Sequence, residues 1–287
     1  SEFGSKLLWA ERQAQARLAP QIEALRAELE RTFAVAFDPA AHVLMLQASH
    51  DEALLALRDH AQQHPDHRVH LDIRFLGSVD AISALNEGRC ALAGFHVPLM
   101  PARGSLAERT YKPLLQTGRH KIIGFARRTQ GLMVARNNPL ELHTLHDVVQ
   151  RRARYANRAL GSGTRVLLDD LLNQAGLNAG QIDGYTHTEP SHAAVAQAVA
   201  AGMADVGLGI EVAARARQLD FVPLLEECYF LVCLKDALEQ PAIAALRQVL
   251  RGTAWQRQLA QMPGYQSWCC GEVQSLRRVL PWWDTPA

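Results

Sequence analysis

Along residues 6–32 the apolar positions Leu18, Ile22, Leu25 and Leu29 recur at alternating steps of four and three, with no internal glycine and with Ala, Glu, Arg and Gln between them. That spacing predicts a helix with one apolar stripe. Pro20 lacks the amide that would close the backbone ladder, so the pattern predicts either a kinked helix or two pieces, the second beginning near Ala19. The stripe can pair with its copy in a dimer or lie on the domain that follows, since burial satisfies it either way.

From residue 43 short apolar runs alternate with helix-like segments. Residues 43–48, 69–76 and 90–97 read as strands, and 51–62 and 80–86 as the helices between them, which is the order of successive βα units. Residues 121–126 and 131–135 read as strands around a polar turn, Arg127-Arg128-Thr129-Gln130, followed by a helix over 142–152. A second α/β unit follows, with a strand at 155–159, a helix at 165–174, a short strand near Tyr185, a helix at 192–201 and a strand at 206–209. The apolar stretch 221–234, broken by Pro223 and Glu226-Glu227, carries the chain back to the first unit, and helices at 241–250 and 253–261 close it. The expected architecture is therefore α/β with two lobes and a central cleft. A connector occupies residues 6–40, lobe 1 residues 41–126 and 226–287, and lobe 2 residues 127–225, with hinges near 126–135 and 221–231.

Composition narrows the function classes. The 287 residues include 48% hydrophobic and 21% charged positions, with 30 Lys plus Arg against 29 Asp plus Glu. A net charge of +1 supplies no global field for holding nucleic acid. Apolar runs such as 229–234 stop far short of the roughly 20 residues that cross a bilayer, and no basic-then-apolar leader opens the chain, so a cytoplasmic protein without a membrane partner is expected. The five cysteines, at 90, 228, 233, 269 and 270, are odd in number and contain no CxxC pair, which fits reduced structural thiols. Residues 1–5, Ser1-Glu2-Phe3-Gly4-Ser5, read as vector-derived, leaving room for a natural domain upstream of Lys6.

The candidate chemistry sits where predicted strands turn into helices. Gly161-Ser162-Gly163-Thr164-Arg165 opens a helix, and its free amides, the Ser162 and Thr164 hydroxyls and the Arg165 guanidinium can surround an anion or simply cap the helix. The spacing is not GxxxxGK[ST], so nucleotide hydrolysis is not supported. Ser49-His50-Asp51 and Gly77-Ser78-Val79-Asp80 repeat the strand-to-helix pattern, and each serine is a cap or a ligand donor. His96 ends another strand, where ligands of open α/β sheets gather. Arg128 and Gln130 fall at a proposed lobe crossing, His192 opens a helix after Ser191, and Glu211 follows the close turn Gly207-Leu208-Gly209-Ile210 as a cap or a ligand contact. His60, His64, His67 and His70 suggest a metal cluster, but Pro65 and the polar residues among them mark a connection instead, and no metal or cofactor is expected. No GxSxG elbow occurs, and Trp255, Trp268, Trp282 and Trp283 read as a closing helical core more simply than as a stacking platform.

Taken with Arg158, Asp205 to Glu211, Asn138-Pro139, Phe221-Val222-Pro223-Leu224 and Pro263-Gly264-Tyr265, these motifs make residues 42–267 resemble a known family. It is the type II periplasmic-binding-protein-like effector domain of bacterial one-component regulators whose helix-turn-helix is like that of the molybdate-responsive ModE proteins. Lys6-Leu7-Leu8-Trp9-Ala10-Glu11 and the helix after it resemble the segment following the winged helix-turn-helix. The resemblance implies a sensor that binds molybdate, tungstate or a molybdopterin-type compound, contacts DNA only through an N-terminal domain outside this sequence, and assembles as a homodimer or higher oligomer. It departs from ModE itself, for no segment reads as the small β-barrel domains that hold molybdate there. An enzyme or a transport receptor using the same cleft on a small anionic metabolite is the alternative, and no catalytic residue is assigned.

Overall fold

The computed structural model describes residues 2–37, 42–64 and 66–283; the expected boundaries at 40/41 and 287, and Pro65, lie outside them. Helix α1 (Glu2–Phe37) runs unbroken through Pro20. Two stripes share its surface. Gln13, Ala16, Pro20 and Ala27 are buried on the rest of the chain, whereas Leu18, Ile22, Leu25 and Leu29 are 49%, 57%, 67% and 58% exposed. Small side chains let the helix lie close to the domain, so the large apolar stripe that sequence periodicity picks out is turned outward, and packing on its own domain is excluded for it.

The chain then lays down β1 (His42–Ala48), α2 (Glu52–Gln62), β2 (Val69–Phe75), α3 (Ser78–Asn86) and β3 (Leu92–Pro98). These are parallel strands with helical crossovers, as the apolar rhythm predicts. After α4 (Leu106–Tyr111) comes β4 (His120–Val134), a continuous strand of 15 residues where two strands around a polar turn were expected. Its equally long partner β8 (Asp220–Leu234) supplies the reason, pairing Arg127 with Cys228, Arg128 with Glu227, Thr129 with Glu226 and Gln130 with Leu225. With β8 on one edge of β4 and later strands, residues 265–267 and 206–210, on the other, the backbone of the polar segment is paired on both sides, and alternate side chains enter a buried ion-pair network. The register shifts between Gln130 and Gly131, opposite Pro223 to Leu225, where the strands pass from one lobe to the other.

The second lobe contains α5 (Leu145–Gln150), β5 (Asn157–Arg158), α6 (Gly163–Gln174), β6 (Thr188–Glu189), α7 (His192–Ala200), β7 (Val206–Ile210) and α8 (Glu211–Ala216). The strand expected over 155–159 shrinks to β5, with Tyr155 making an isolated bridge to Val206. The strand expected near Tyr185 is β6, slightly downstream. Helix α5 is shorter than 142–152 because the Thr144–Asp147 capping box starts it late and Arg152 takes a φ of 50° beyond its end. After β8, α9 (Pro241–Arg251), α10 (Thr253–Ala260), β9 (Tyr265–Ser267), β10 (Val273–Gln274) and α11 (Leu276–Val279) return to the first lobe. The curled sheet runs β10-β4-β8-β3-β1-β2, with β7 and β9 also on β4, so β4 and β8 are common to both lobes.

Leu132, Val134, Tyr155, Leu168, Val206 and Leu208 pack one core under the second lobe, while the first lobe has a core on each side of its sheet. Trp255 is fully buried and stacked on Phe125 at 6.1 Å. Cys90, Cys228, Cys233, Cys269 and Cys270 are unpaired. Among the described residues no helix is long and apolar enough to cross a membrane.

Candidate functional site

The lobes meet over a set of polar side chains that are almost wholly withdrawn from water. Ser49 and His50 follow β1, Ser78 opens α3, His96 lies on β3, Arg128 and Gln130 on β4, Arg158 on β5, Thr164 at the start of α6 and His192 at the start of α7. All of these are buried. Across the lobe boundary the Val79 amide reaches the Gly161 carbonyl at 3.5 Å, while Thr164 Oγ1 lies 3.5 Å from His192 Nε2 within the second lobe and accepts from Gln130 Nε2 of the crossing strand at 3.2 Å. Glycines permit the approach. A Cβ on Gly163 would stand 2.4 Å from His96 Nε2, and one on Gly77 would stand 2.6 Å from the Gly161 oxygen across the lobe boundary.

Arg128 is the structural centre of this floor. It donates to the carboxylates of Asp51 and Glu227, which are themselves buried, and lies over the Tyr229 ring at 5.1 Å. Asp51 also caps α2 by accepting from the Ala53 amide at 2.8 Å, and takes the Tyr265 hydroxyl at 2.6 Å. Gln130 adds a 3.0 Å bond to Glu227. Two acids thus share one cation where β4 and β8 pair, with one guanidinium nitrogen, Nη2, left unbonded.

Arg158 is in the opposite condition. Its Nη2 donates to the Pro190 carbonyl at 3.0 Å, while Nε and Nη1 are buried with no partner. No carboxylate among the described residues lies within ion-pairing distance of it. Burial, and then the charge of Arg128, lower its pKa to about 10, which leaves it a cation at neutral pH. The same cleft holds the unpartnered Ser49 hydroxyl, the Ser78 hydroxyl beside that of Tyr111, and unbonded Nδ1 atoms on His50, His96 and His192, whose rings feel the Arg158 charge. Burial, followed by the nearby arginine charge, lowers His50 to about 4 and holds His96 and His192 well below the usual histidine range, so the imidazoles are neutral. The Glu52 carboxyl, pushed up to about 7 by burial and by Asp51, also feels Arg158, and its Oε2 is buried without a bond. A neutral imidazole and a hydroxyl can each donate toward an anion, and a guanidinium with two free N–H groups supplies the charge.

The other sequence candidates are occupied elsewhere. Ser162 caps α6, accepting from the Arg165 amide at 3.3 Å and donating to the Ala159 carbonyl at 2.8 Å. Arg165 pairs with Asp169 at 3.3 Å and stacks on Tyr185 at 4.0 Å. Glu211, at the start of α8, pairs with Arg215 at 3.0 Å. Among the histidines of 60–70, His60 packs on Trp255 and His70 contacts the Ala27 carbonyl of α1. Among the described residues no three His, Cys, Asp or Glu side chains are grouped to hold a metal. Reading residue by residue passes over Arg158 as a contact. The signal available is its position at the end of a strand, immediately before the glycine-rich turn.

Two lobes joined by crossing strands, with unsatisfied donors gathered at the strand ends between them, define a cleft-binding α/β protein. A family model described as PBP superfamily domain matches residues 58–251, and the chain belongs to that superfamily. It is 30% identical over 201 residues to the uncharacterized protein YvgK of Bacillus subtilis (strain 168), a match covering 70% of this chain and 64% of the relative. The chain thus spans just under two thirds of that relative's length. Among solved structures, a phosphate ABC transporter substrate-binding protein from Clostridium perfringens with bound phosphate superposes with a TM-score of 0.59 at 14% identity, covering 79% of this chain and 100% of the other. The regulatory domain of MetR, a LysR family regulator from N. meningitidis, gives 0.55 at 13% identity over 79% and 99% of the two chains. The tungstate-binding protein TupA from Desulfovibrio alaskensis G20 gives 0.55 at 12% identity, over 79% and 98%. These likenesses show the fold.

Proposed function

We propose that this chain is the effector-sensing part of a cytoplasmic one-component transcriptional regulator of the ModE-type helix-turn-helix class. Its interlobe cleft takes a small oxyanion, molybdate or tungstate, or a compound related to the molybdenum cofactor. The observation that carries this reading is Arg158, a buried cation with two unbonded N–H vectors and no ion-pair partner, in a cleft that also holds the unpartnered Ser49 hydroxyl. The close approach of Gly77 to Gly161 and of Gly163 to His96 favours the small oxyanion over the larger cofactor. That the fold also serves a protein with bound phosphate, a tungstate-binding protein and the regulatory domain of a LysR family regulator is consistent with sensing of this kind. Asp51 and Glu227 are both committed to Arg128, and the unpaired donors that remain in the cleft suit binding of an anion.

Closure reaches the connector directly. The N-terminal half of α1 holds the second lobe, with Arg17 donating to Glu189 at 2.7 Å and Gln13 at 3.0 Å, while Glu23 pairs with Arg58 and Arg31 with Asp72 in the first. Glu189 precedes Pro190, the residue whose carbonyl Arg158 grips. A ligand that draws the lobes together therefore acts on both ends of the helix that leads toward the DNA-binding domain. The outward stripe of α1 then pairs with a second copy, giving a homodimer.

Native mass spectrometry and calorimetric titration with molybdate, tungstate, sulfate and a molybdopterin extract test the assignment. Saturable binding of one of these is expected, and Arg158→Met should weaken it by about 2 kcal/mol or more, the worth of hydrogen bonds to a charged group. The variant should remain as thermally stable as the parent, because it removes a buried unpaired charge. Full-strength oxyanion binding by folded Arg158→Met would sink the reading.

A further inference from the structure

Strand alternation gives the crossing strands a second functional face. Arg128 and Glu227 point into the cleft network, so their neighbours Arg127 and Cys228, paired in the same ladder, point to the other side of the sheet. There a groove of about 400 Å³ is lined by Val97, Phe230, Trp268, Arg127, Gln274 and Arg278, among others. It shares no residue with the cleft.

Three features of this groove ask for different parts of one ligand. Trp268 packs edge-on against Phe230 at 5.5 Å, giving an aromatic wall beside an apolar floor. Arg127 lies over the same indole at 5.2 Å with its Nε buried and unbonded, and among the described residues neither Arg127 nor Arg278 has a carboxylate within ion-pairing distance. Gln274 is only 4% exposed, and its amide nitrogen donates to Glu272 at 3.2 Å, which leaves Oε1 buried with no donor. A buried acceptor without a donor costs as much as a lost hydrogen bond, and a guanidinium against an apolar wall suits an anion attached to an apolar body.

We propose that this groove is a second ligand site, separate from the cleft, for a small aromatic carboxylate that carries a hydroxyl donor on its ring. The carboxylate meets Arg127 and Arg278, the ring lies along Trp268, and the hydroxyl donates to Gln274 Oε1. A bare tetrahedral oxyanion would leave the aromatic wall and Gln274 unused, and a neutral hydrocarbon would leave both cations unanswered.

The test uses 4-hydroxyphenylacetate as probe, titrated calorimetrically and by tryptophan fluorescence against the whole chain, with phenylacetate and 4-hydroxyphenylethanol as comparators. The expected result is saturable binding of the probe, at least tenfold weaker binding of the neutral alcohol and of the compound lacking the hydroxyl, and at least tenfold loss in Arg278→Gln, an exposed position whose replacement leaves the core intact. Arg158→Met should bind the probe as the parent does, since the proposal is independent of the cleft. Absence of saturable binding by folded protein overturns the proposal. So does binding that survives in Arg278→Gln together with Arg127→Gln, or binding abolished by Arg158→Met alone, which would place the probe in the cleft. Equal affinities for phenylacetate and 4-hydroxyphenylacetate, with no change in Gln274→Leu, overturn the role given to Gln274.

Discussion

Arg158 and Glu52 set the proton dependence of the cleft. An anion bound at Arg158 competes with the Glu52 carboxylate for the same field, and that carboxyl, pushed up to about 7, loses its charge as the pH falls through neutrality. On the proposed reading, oxyanion binding is coupled to proton uptake above pH 7: affinity for sulfate should be greatest at about pH 6 and fall toward a limit of about tenfold per pH unit above 7. Glu52→Gln should hold the low-pH affinity through about pH 8.5, which calorimetry at three pH values would read; an unchanged slope in that variant would remove Glu52 from the linkage. His50, lowered to about 4, stays neutral across the whole window and contributes nothing to the slope. Sequence alone points to the right neighbourhood here, because serines, histidines and glycines at strand ends announce a helix-start site. It does not separate a hydroxyl spent on a cap, as at Ser162, from one left over, as at Ser49, since the difference lies in which residue becomes the cap. Nor does it separate Arg165, four residues before its own partner Asp169, from Arg158, whose lack of a partner is a fact of the folded state.

Periodicity locates elements well and assigns their faces less well. The βα order of the first lobe was legible because buried parallel strands read as apolar runs, and α9 and α10 fall within a residue of the expected ranges. The continuity of β4 was not legible, because the polar run Arg127 to Gln130 looks like a turn until β8, almost a hundred residues later, supplies its ladder and its acid. In α1 the strongest hydrophobic signal marks the face the domain does not use, while Ala16, Pro20 and Ala27 form the contact that close packing needs. Leu25, 67% exposed at the centre of the outward stripe, is the position to probe. Leu25→Asp should shift a concentration-dependent monomer–dimer equilibrium toward monomer by at least tenfold while the chain stays folded, as followed by sedimentation, because the side chain supports nothing within its own chain. An unmoved equilibrium would show that the stripe holds no principal interface.

At the scale of the whole molecule, closure of the lobes on a ligand, as proposed, would be limited where Gly77 meets Gly161. Gly77 has φ −62° and ψ 153°, which any residue adopts, so Gly77→Ala changes little but the 2.6 Å clearance to the opposite carbonyl. The variant should fold normally, keep the lobes slightly apart in solution scattering, and bind the cleft oxyanion about tenfold more weakly; parental affinity would mean that closure is not limited there. Helix α1 bridges the same gap on the outside, fastened to one lobe through Glu189 and to the other through Arg58 and Asp72. Fastened at both ends, it is a strut, and a strut carries load in both directions. Whatever free energy a ligand spends in shifting the helix, a grip on the helix returns to the ligand in equal measure. If two copies pair along the outer stripe as proposed, that pairing tunes the cleft from a distance, and the concentration of the protein itself becomes one of the variables that set how tightly the proposed anion is held.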